Sequence, residues 1–191
     1  MPVISIRSEP RYADRRATPA QFLDLPPDGY RYELIQGVMQ LTPSPREEHA
    51  RPHRRILTDM ELFLRAHPNL GEVFFEFSVF LPDGNVFEPD IVFVSAAQAG
   101  IVTGHIHGVP DLIVEVLSPS TRERDRGVKA DAYLQCGVKE YWLVDPEHKT
   151  NLELWQNQKN GGCHKLNGAR IESQILPGFV FDVRQIFPER E

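Results

Sequence analysis

No apolar run in the sequence approaches the ~20 residues that a membrane-spanning helix needs, which excludes a helical membrane protein. The opening stretch, Met1-Pro-Val-Ile-Ser-Ile-Arg7, has neither the apolar segment nor the small-residue cleavage site of a signal peptide, so a cytoplasmic protein is expected. Cysteine is scarce. Cys136 and Cys163 stand far apart without metal-type spacing, which predicts two reduced thiols rather than a disulfide or a zinc site. Internal repeats, low-complexity tracts and a glycine-rich nucleotide loop are absent too. Nor is there an excess of positive charge. A formal net charge of −6 argues against a protein that coats nucleic acid nonspecifically, because phosphate neutralisation drives such binding. It leaves room for an acidic enzyme that meets phosphate through a local basic patch and metal ions.

What remains is a chain of 191 residues, 41% hydrophobic and 25% charged, which is ordinary globular usage and enough for one sizeable core. We expect a flexible N-terminal arm over residues 1–17, one domain over 18–187 and a short tail over 188–191. Thr18 with Pro19 marks the start of a short helix that Pro26-Pro27 ends. Tyr30–Ile35 and Val38–Leu41 read as a hairpin about Gln36-Gly37. Ser44 and Pro45 resemble a helix cap and first residue, and a helix should run to about Ala66, its regular part beginning nearer Pro52. Ile56, Met60, Phe63 and Leu64 would form its buried face.

Gly71–Leu81 and Phe87–Val94 read as two long strands joined at Pro82–Asn85, and residues 100–110 as an irregular loop carrying His105 and His107. Asp111–Leu117 is the most continuously apolar run and is expected at the centre of a sheet. A charged helix from Thr121 to Cys136, stopped by Gly137, and a strand over Lys139–Asp145 complete a unit with a parallel connection. The remainder predicts a further hairpin, an extended segment and a helical turn.

Two acids sit where hydrocarbon would pack better. Side chains alternate along a strand, so Glu115 shares a face with Ile113 and Leu117. A carboxylate buried there without partners costs several kcal/mol or takes up a proton. Asp90 stands at the head of Ile91–Val94 behind the rigid Pro89. Either acid alone fits a structural role: a salt bridge or sheet-end position for Glu115, a turn or cap for Asp90. On neighbouring strands they would repel, and a divalent cation between them converts that cost into binding.

The Pro89-Asp90 pair, Glu115 in its apolar strand, Glu115–Thr121 followed by Asp125-Arg-Gly-Val-Lys129, Tyr133 and Gly137–Pro146 together resemble the Uma-type "putative restriction endonuclease" family of the PD-(D/E)xK nuclease superfamily. Tyr32–Ile35 with Gly37, and Leu176–Phe179, extend the resemblance over roughly residues 18–187. It implies an α/β (α+β) fold: a restriction-endonuclease-like core with a mixed central β-sheet flanked by helices, plus added hairpins. It also implies a Mg²⁺-dependent endonuclease acting on DNA, with Mn²⁺ as an alternative ion. Asp90 and Glu115 would be the metal ligands, Glu33 a further ligand or a contact to metal-bound water, and the Val116 carbonyl another donor.

The superfamily's lysine usually stands two residues after its acid, where this chain has Leu117, so the resemblance moves that role to Lys129. Beside that reading stands a plainer one, in which Lys129 belongs to a solvated charged helix face. Gln36 and Val38 replace acids that the family often carries around its hairpin glycine, which weakens a second metal site. His49 matches a histidine near the start of the family's long helix; a phosphate or water contact and a capping role both fit it. The runner-up function is a catalytically weak or inactive module of the same fold that binds nucleic acid or a protein. Exposed edge strands and the Trp142 and Trp155 region suit a homodimer.

Overall fold

The computed structural model describes residues 9–44, 46–148, 152–157 and 163–187. The expectations placed on residues 1–8, on Pro45, on the 158–162 turn and on the 188–191 tail lie outside them. Thr18 caps helix α1 (Pro19–Leu23) through a reciprocal capping box with Gln21. Strands β1 (Arg31–Ile35) and β2 (Val38–Thr42) pair in register about Gln36 (φ 50°) and Gly37 (φ 76°), the left-handed pair that a two-residue hairpin turn requires. Part of the expected arm is docked on this hairpin: the Asp14 N–H donates to the Met39 carbonyl, the Met39 N–H to the Arg15 carbonyl, and Ala17 joins a small cluster with Leu34 and Met39.

Helix α2 (Glu47–Ala66) begins after Arg46 rather than at Ser44, and it runs through Pro52 instead of starting there. Proline removes one backbone donor from the first turns. Its ring is buried in line with Ile56, Met60 and Leu64, so packing offsets the lost bond. The two long strands expected next are each divided. Strand β3 (Gly71–Phe75) stops at Glu76, whose φ of 47° cannot continue a strand, and β4 (Val79–Phe80) belongs to another sheet. The return is split likewise into β5 (Val86–Phe87) and β6 (Ile91–Ser95), with Pro89 lacking a donor at the break.

A 3₁₀ turn over Ala96–Ile101 leads into β7 (Val102–Thr103) and β8 (His105–His107), so the expected irregular loop contains a small hairpin about Gly104. Strand β9 (Leu112–Val116) is buried throughout. The single charged helix expected after it is interrupted: α3 (Arg122–Arg124), a π-helical turn over Asp125–Lys129, then α4 (Ala130–Cys136) ending at Gly137 with φ 101°. Strands β10 (Glu140–Val144), β11 (Leu152–Asn157), β12 (Cys163–Gly168), β13 (Arg170–Glu172) and β14 (Val180–Asp182) and helix α5 (Val183–Ile186) complete the chain.

The principal sheet has the order β12-β11-β10-β9-β6-β3, with β9 and β10 parallel and the other pairs antiparallel. A second sheet, β2-β1-β5-β4-β8-β7, and the β13–β14 pair add the hairpins. Ile91, Phe93, Leu112, Val114 and Trp142 face α2 and the C-terminal segment on one side. Val92, Ile113, Leu117 and Leu143 face Ala130, Tyr133 and the second sheet on the other. This is the mixed, helix-flanked α+β architecture expected. Among the described residues no helix is long and apolar enough to cross a membrane.

Candidate active site

β6 and β9 pair antiparallel with Ile91 opposite Val114, so continuing the register by one residue sets Asp90 opposite Glu115. Opposite residues of an antiparallel pair project on the same side of the sheet. Asp90, in the bend just before β6, and Glu115 therefore come together at the end of the strands where the ladder opens, the Asp90 carboxylate reaching the Val116 N–H beside Glu115. A pocket of about 640 Å³ lies over this end, lined among others by Glu33, His49, Asp90, Glu115, Asp125 and Lys129.

Lys129 is 3% exposed, and its Nζ lies 2.5 Å from Glu115 Oε1, 2.9 Å from Glu33 Oε1 and 3.7 Å from Asp125 Oδ1. It also sits over the Phe87 ring at 5.5 Å from the centroid. The solvated alternative for Lys129 does not hold. The π-helical turn places Asp125 and Lys129 together on the inner side of the helix, whereas Arg122 and Arg126 turn outward to Asp145 and Glu153. Burial alone would drive the ammonium toward its neutral form, but the charges of Glu115, Glu33 and Asp125 outweigh that and hold its pKa well above the ordinary lysine value.

Each acid spends one oxygen on the protein. Asp90 Oδ2 accepts from the Val116 N–H at 2.6 Å and meets His49 Nε2 at 3.0 Å. Glu115 Oε1 accepts from Tyr133 Oη at 3.3 Å as well as facing Lys129. Among the described residues, neither Asp90 Oδ1 nor Glu115 Oε2 is engaged in a hydrogen bond or ion pair. Glu33 differs: Oε1 accepts from Lys129 and the Glu88 N–H, and Oε2 from Arg124 at 3.1 Å. It is a brace for the cations, with both oxygens taken.

Four carboxylates (Glu33, Asp90, Glu115, Asp125) thus gather around two permanent cations, Lys129 and Arg124. The excess of negative charge bears on the protonation of each group. Burial pushes the Glu115 carboxyl well above the usual range, and Asp125, Asp90 and Glu33 add to it against the opposing pull of Lys129. Burial likewise raises Asp125. For His49, burial would lower the imidazole's pKa, but the hydrogen bond and charge of Asp90 more than compensate and hold it above its ordinary value. A divalent cation suits this donor set: two opposed carboxylates with one uncommitted oxygen each, and surplus negative charge.

The sequence-predicted residues Asp90, Glu115, Val116, Lys129 and Glu33 all meet at this one end of the sheet. The sequence marks Asp125 only as the start of the Asp125–Lys129 stretch and does not mark Arg124. The signal for Asp125 was its four-residue spacing from Lys129, which aligns two side chains on a helix. His105 and His107 lie on β8 and pack against Phe80, away from the pocket lining. A different grouping, Asp145, Glu147 and His148, is the one place among the described residues where three such side chains bring ligand atoms within 4.8 Å. Its Asp145 already accepts from Arg122, Arg126 and His148, so we read it as an ion-pair hub at the pocket rim.

The model of the Uma2 family, described as "Putative restriction endonuclease", matches residues 19–184. A solved structure, described as a putative nuclease belonging to DUF820 from Anabaena variabilis ATCC 29413, superposes with a TM-score of 0.75 at 17% identity, covering 90% of this chain and 97% of that one. A search of curated proteins finds no match.

Proposed function

We propose that this chain, which belongs to the Uma2 "putative restriction endonuclease" family, hydrolyses phosphodiester bonds in DNA with Mg²⁺, or Mn²⁺ in its place, held by Asp90 and Glu115. The observation that carries the proposal is the meeting of these two carboxylates where β6 and β9 end, Asp90 bonded to the N–H of Glu115's neighbour Val116, with the Lys129 ammonium 2.5 Å from Glu115. The bound ion would lower the pKa of a water and offset charge on the phosphate. Two protein carboxylates suffice for an ion that keeps several waters, and the Val116 carbonyl remains in the proposal as a further oxygen donor.

The chain's own residues have separable tasks. The Val116 N–H and His49 fix the Asp90 carboxylate through Oδ2, so that Oδ1 would be the oxygen to hold an ion. Tyr133 and Lys129 do the same for Glu115 through Oε1, so that Oε2 would be its oxygen for the ion. Lys129, kept charged, orients the attacking water and supports the negative charge that develops on the phosphoryl oxygens. Glu33 acts by holding Lys129 and Arg124; to serve as a ligand itself it would have to exchange one of those bonds.

Mg²⁺-titrated cleavage of plasmid DNA tests the reading. Wild-type protein should cut only with divalent ion present, and Glu115→Gln and Lys129→Ala should abolish cutting while the fold persists by circular dichroism. Undiminished cutting by both variants would sink the mechanism. A homodimer belongs to the same proposal, with the exposed outer strand β12 as its edge; sedimentation as a monomer at micromolar concentration would remove it.

A further inference from the structure

A ridge of aromatic rings leads out of the pocket. His49, in the pocket lining, lies 6.1 Å from His53 one turn further along α2, and His53 lies 6.4 Å from Phe75 at the end of the sheet's edge strand β3. Both histidines are tied to Asp90: His49 through Oδ2 and His53 through the backbone carbonyl at 3.0 Å. The ridge is therefore rigidly registered to the candidate metal-holding carboxylate. Its outer ring is open to solvent, with Phe75 54% exposed, and the chain turns away at once through Glu76 in a left-handed conformation.

Charge along the same path points to an anionic occupant of modest width. Arg46 opens α2 at the pocket mouth; it is exposed and pairs with no carboxylate among the described ion pairs. By contrast, Arg122 on the rim formed with Asp145 and Glu147 is occupied by those two acids, and Arg31 is likewise held by Glu76 and Glu88. A duplex keeps its bases stacked on one another and so offers an exposed ring no free base face. One open basic and aromatic side suits one strand, because exposed rings accept the faces of unstacked bases.

We infer that the site takes an unpaired DNA strand, whose nucleotide next to the reacting phosphate leaves over His53 and stacks its base on Phe75. The inference rests on the nuclease reading above and narrows its substrate class to single-stranded, flapped or frayed DNA. Phe75 is a binding residue here, outside the reacting atoms, and its exposure allows substitution without disturbing the core.

The test uses the full chain with Ca²⁺ as a non-cleaving ion, a fluorescent single-stranded oligonucleotide and the matching blunt duplex, read by anisotropy. The single strand should bind more tightly than the duplex. Phe75→Ala should weaken single-strand binding by roughly 5- to 100-fold, the range of one lost base stack, while Phe75→Trp retains it. A 2-aminopurine placed next to the cleavage position should be quenched by wild type and Phe75→Trp but not by Phe75→Ala. Equal or tighter duplex binding, or indifference to Phe75→Ala, overturns the inference and leaves the nuclease reading intact if cleavage is seen. Absence of both binding and cleavage for every DNA form overturns the nuclease reading, and this inference with it.

Discussion

Lys129 Nζ lies 2.5 Å from Glu115 Oε1, joining the π-helical turn to the central strand β9, although Leu117 stands where a nearer lysine would be expected. The turn after β9 supplies from outside the strand what position 117 does not. Lys129→Ala would leave Glu33, Glu115 and Asp125 buried without that cation. We expect a loss of about 3–5 kcal/mol in urea denaturation, the usual cost of orphaning one member of a buried charge pair.

Glu115→Gln should behave differently. The substitution removes the carboxylate whose charged form burial and three neighbouring acids disfavour, while Lys129 keeps Glu33 and Asp125. Its stability loss in the same denaturation should be smaller than that of Lys129→Ala. An equal or greater loss would show that the Lys129–Glu115 pair, rather than the whole acidic ring, secures the lysine.

The far end of β9 carries a separate clamp. Asp111 accepts from the Ser95 N–H at 2.8 Å, from Gln98 at 2.8 Å and from Lys139. Burial would raise its carboxyl, but Lys139 and the hydrogen bonds of Ser95 hold it below the usual aspartate range. A depressed folded-state value means stability that is present above the unfolded pKa of about 4 and lost as pH falls through the folded one. Asp111→Asn should cost about 1–3 kcal/mol at neutral pH, and the gap to wild type should narrow below about pH 4 in pH-dependent denaturation.

Gln36 offers a gain. It holds a left-handed conformation at the first central position of the β1–β2 turn, where asparagine is better suited. Gln36→Asn keeps the backbone N–H that donates to Asn85 Oδ1. We expect a stabilisation of about 0.5–1 kcal/mol, seen as a Tm rise of roughly 1–4 °C. A fall in Tm would mean that the glutamine side chain makes a contribution of its own.

Much of this was legible from residue order. The two-residue turn at Gln36-Gly37, the cap at Thr18, the fully buried β9 and the parallel β9–β10 pair all follow from local signals. Two acids in apolar strands and the linked family motifs pointed to the carboxylates that the fold sets opposite each other. The breaks were less legible. The change of sheet at Glu76 and Pro89 is tertiary: nothing in Val73–Phe80 announces that one run serves two sheets. The interruption of the charged helix was hidden as well, because an unbroken helical periodicity fits Thr121–Cys136 and the inward turn depends on Glu33 and Glu115, which receive Lys129, with Asp125 drawn in beside the lysine. Arg124 as a partner of Glu33, ninety-one residues away in sequence, had no local signal at all.

The claim that Asp90 and Glu115 jointly hold a divalent ion is tested most directly by isothermal titration calorimetry with Mn²⁺. Wild type should bind with a measurable enthalpy, and Asp90→Asn and Glu115→Gln should each weaken that binding at least about tenfold, while Asp145→Asn leaves it unchanged. Binding that survives in Asp90→Asn and Glu115→Gln but disappears in Asp145→Asn would contradict the account and move the metal to the rim.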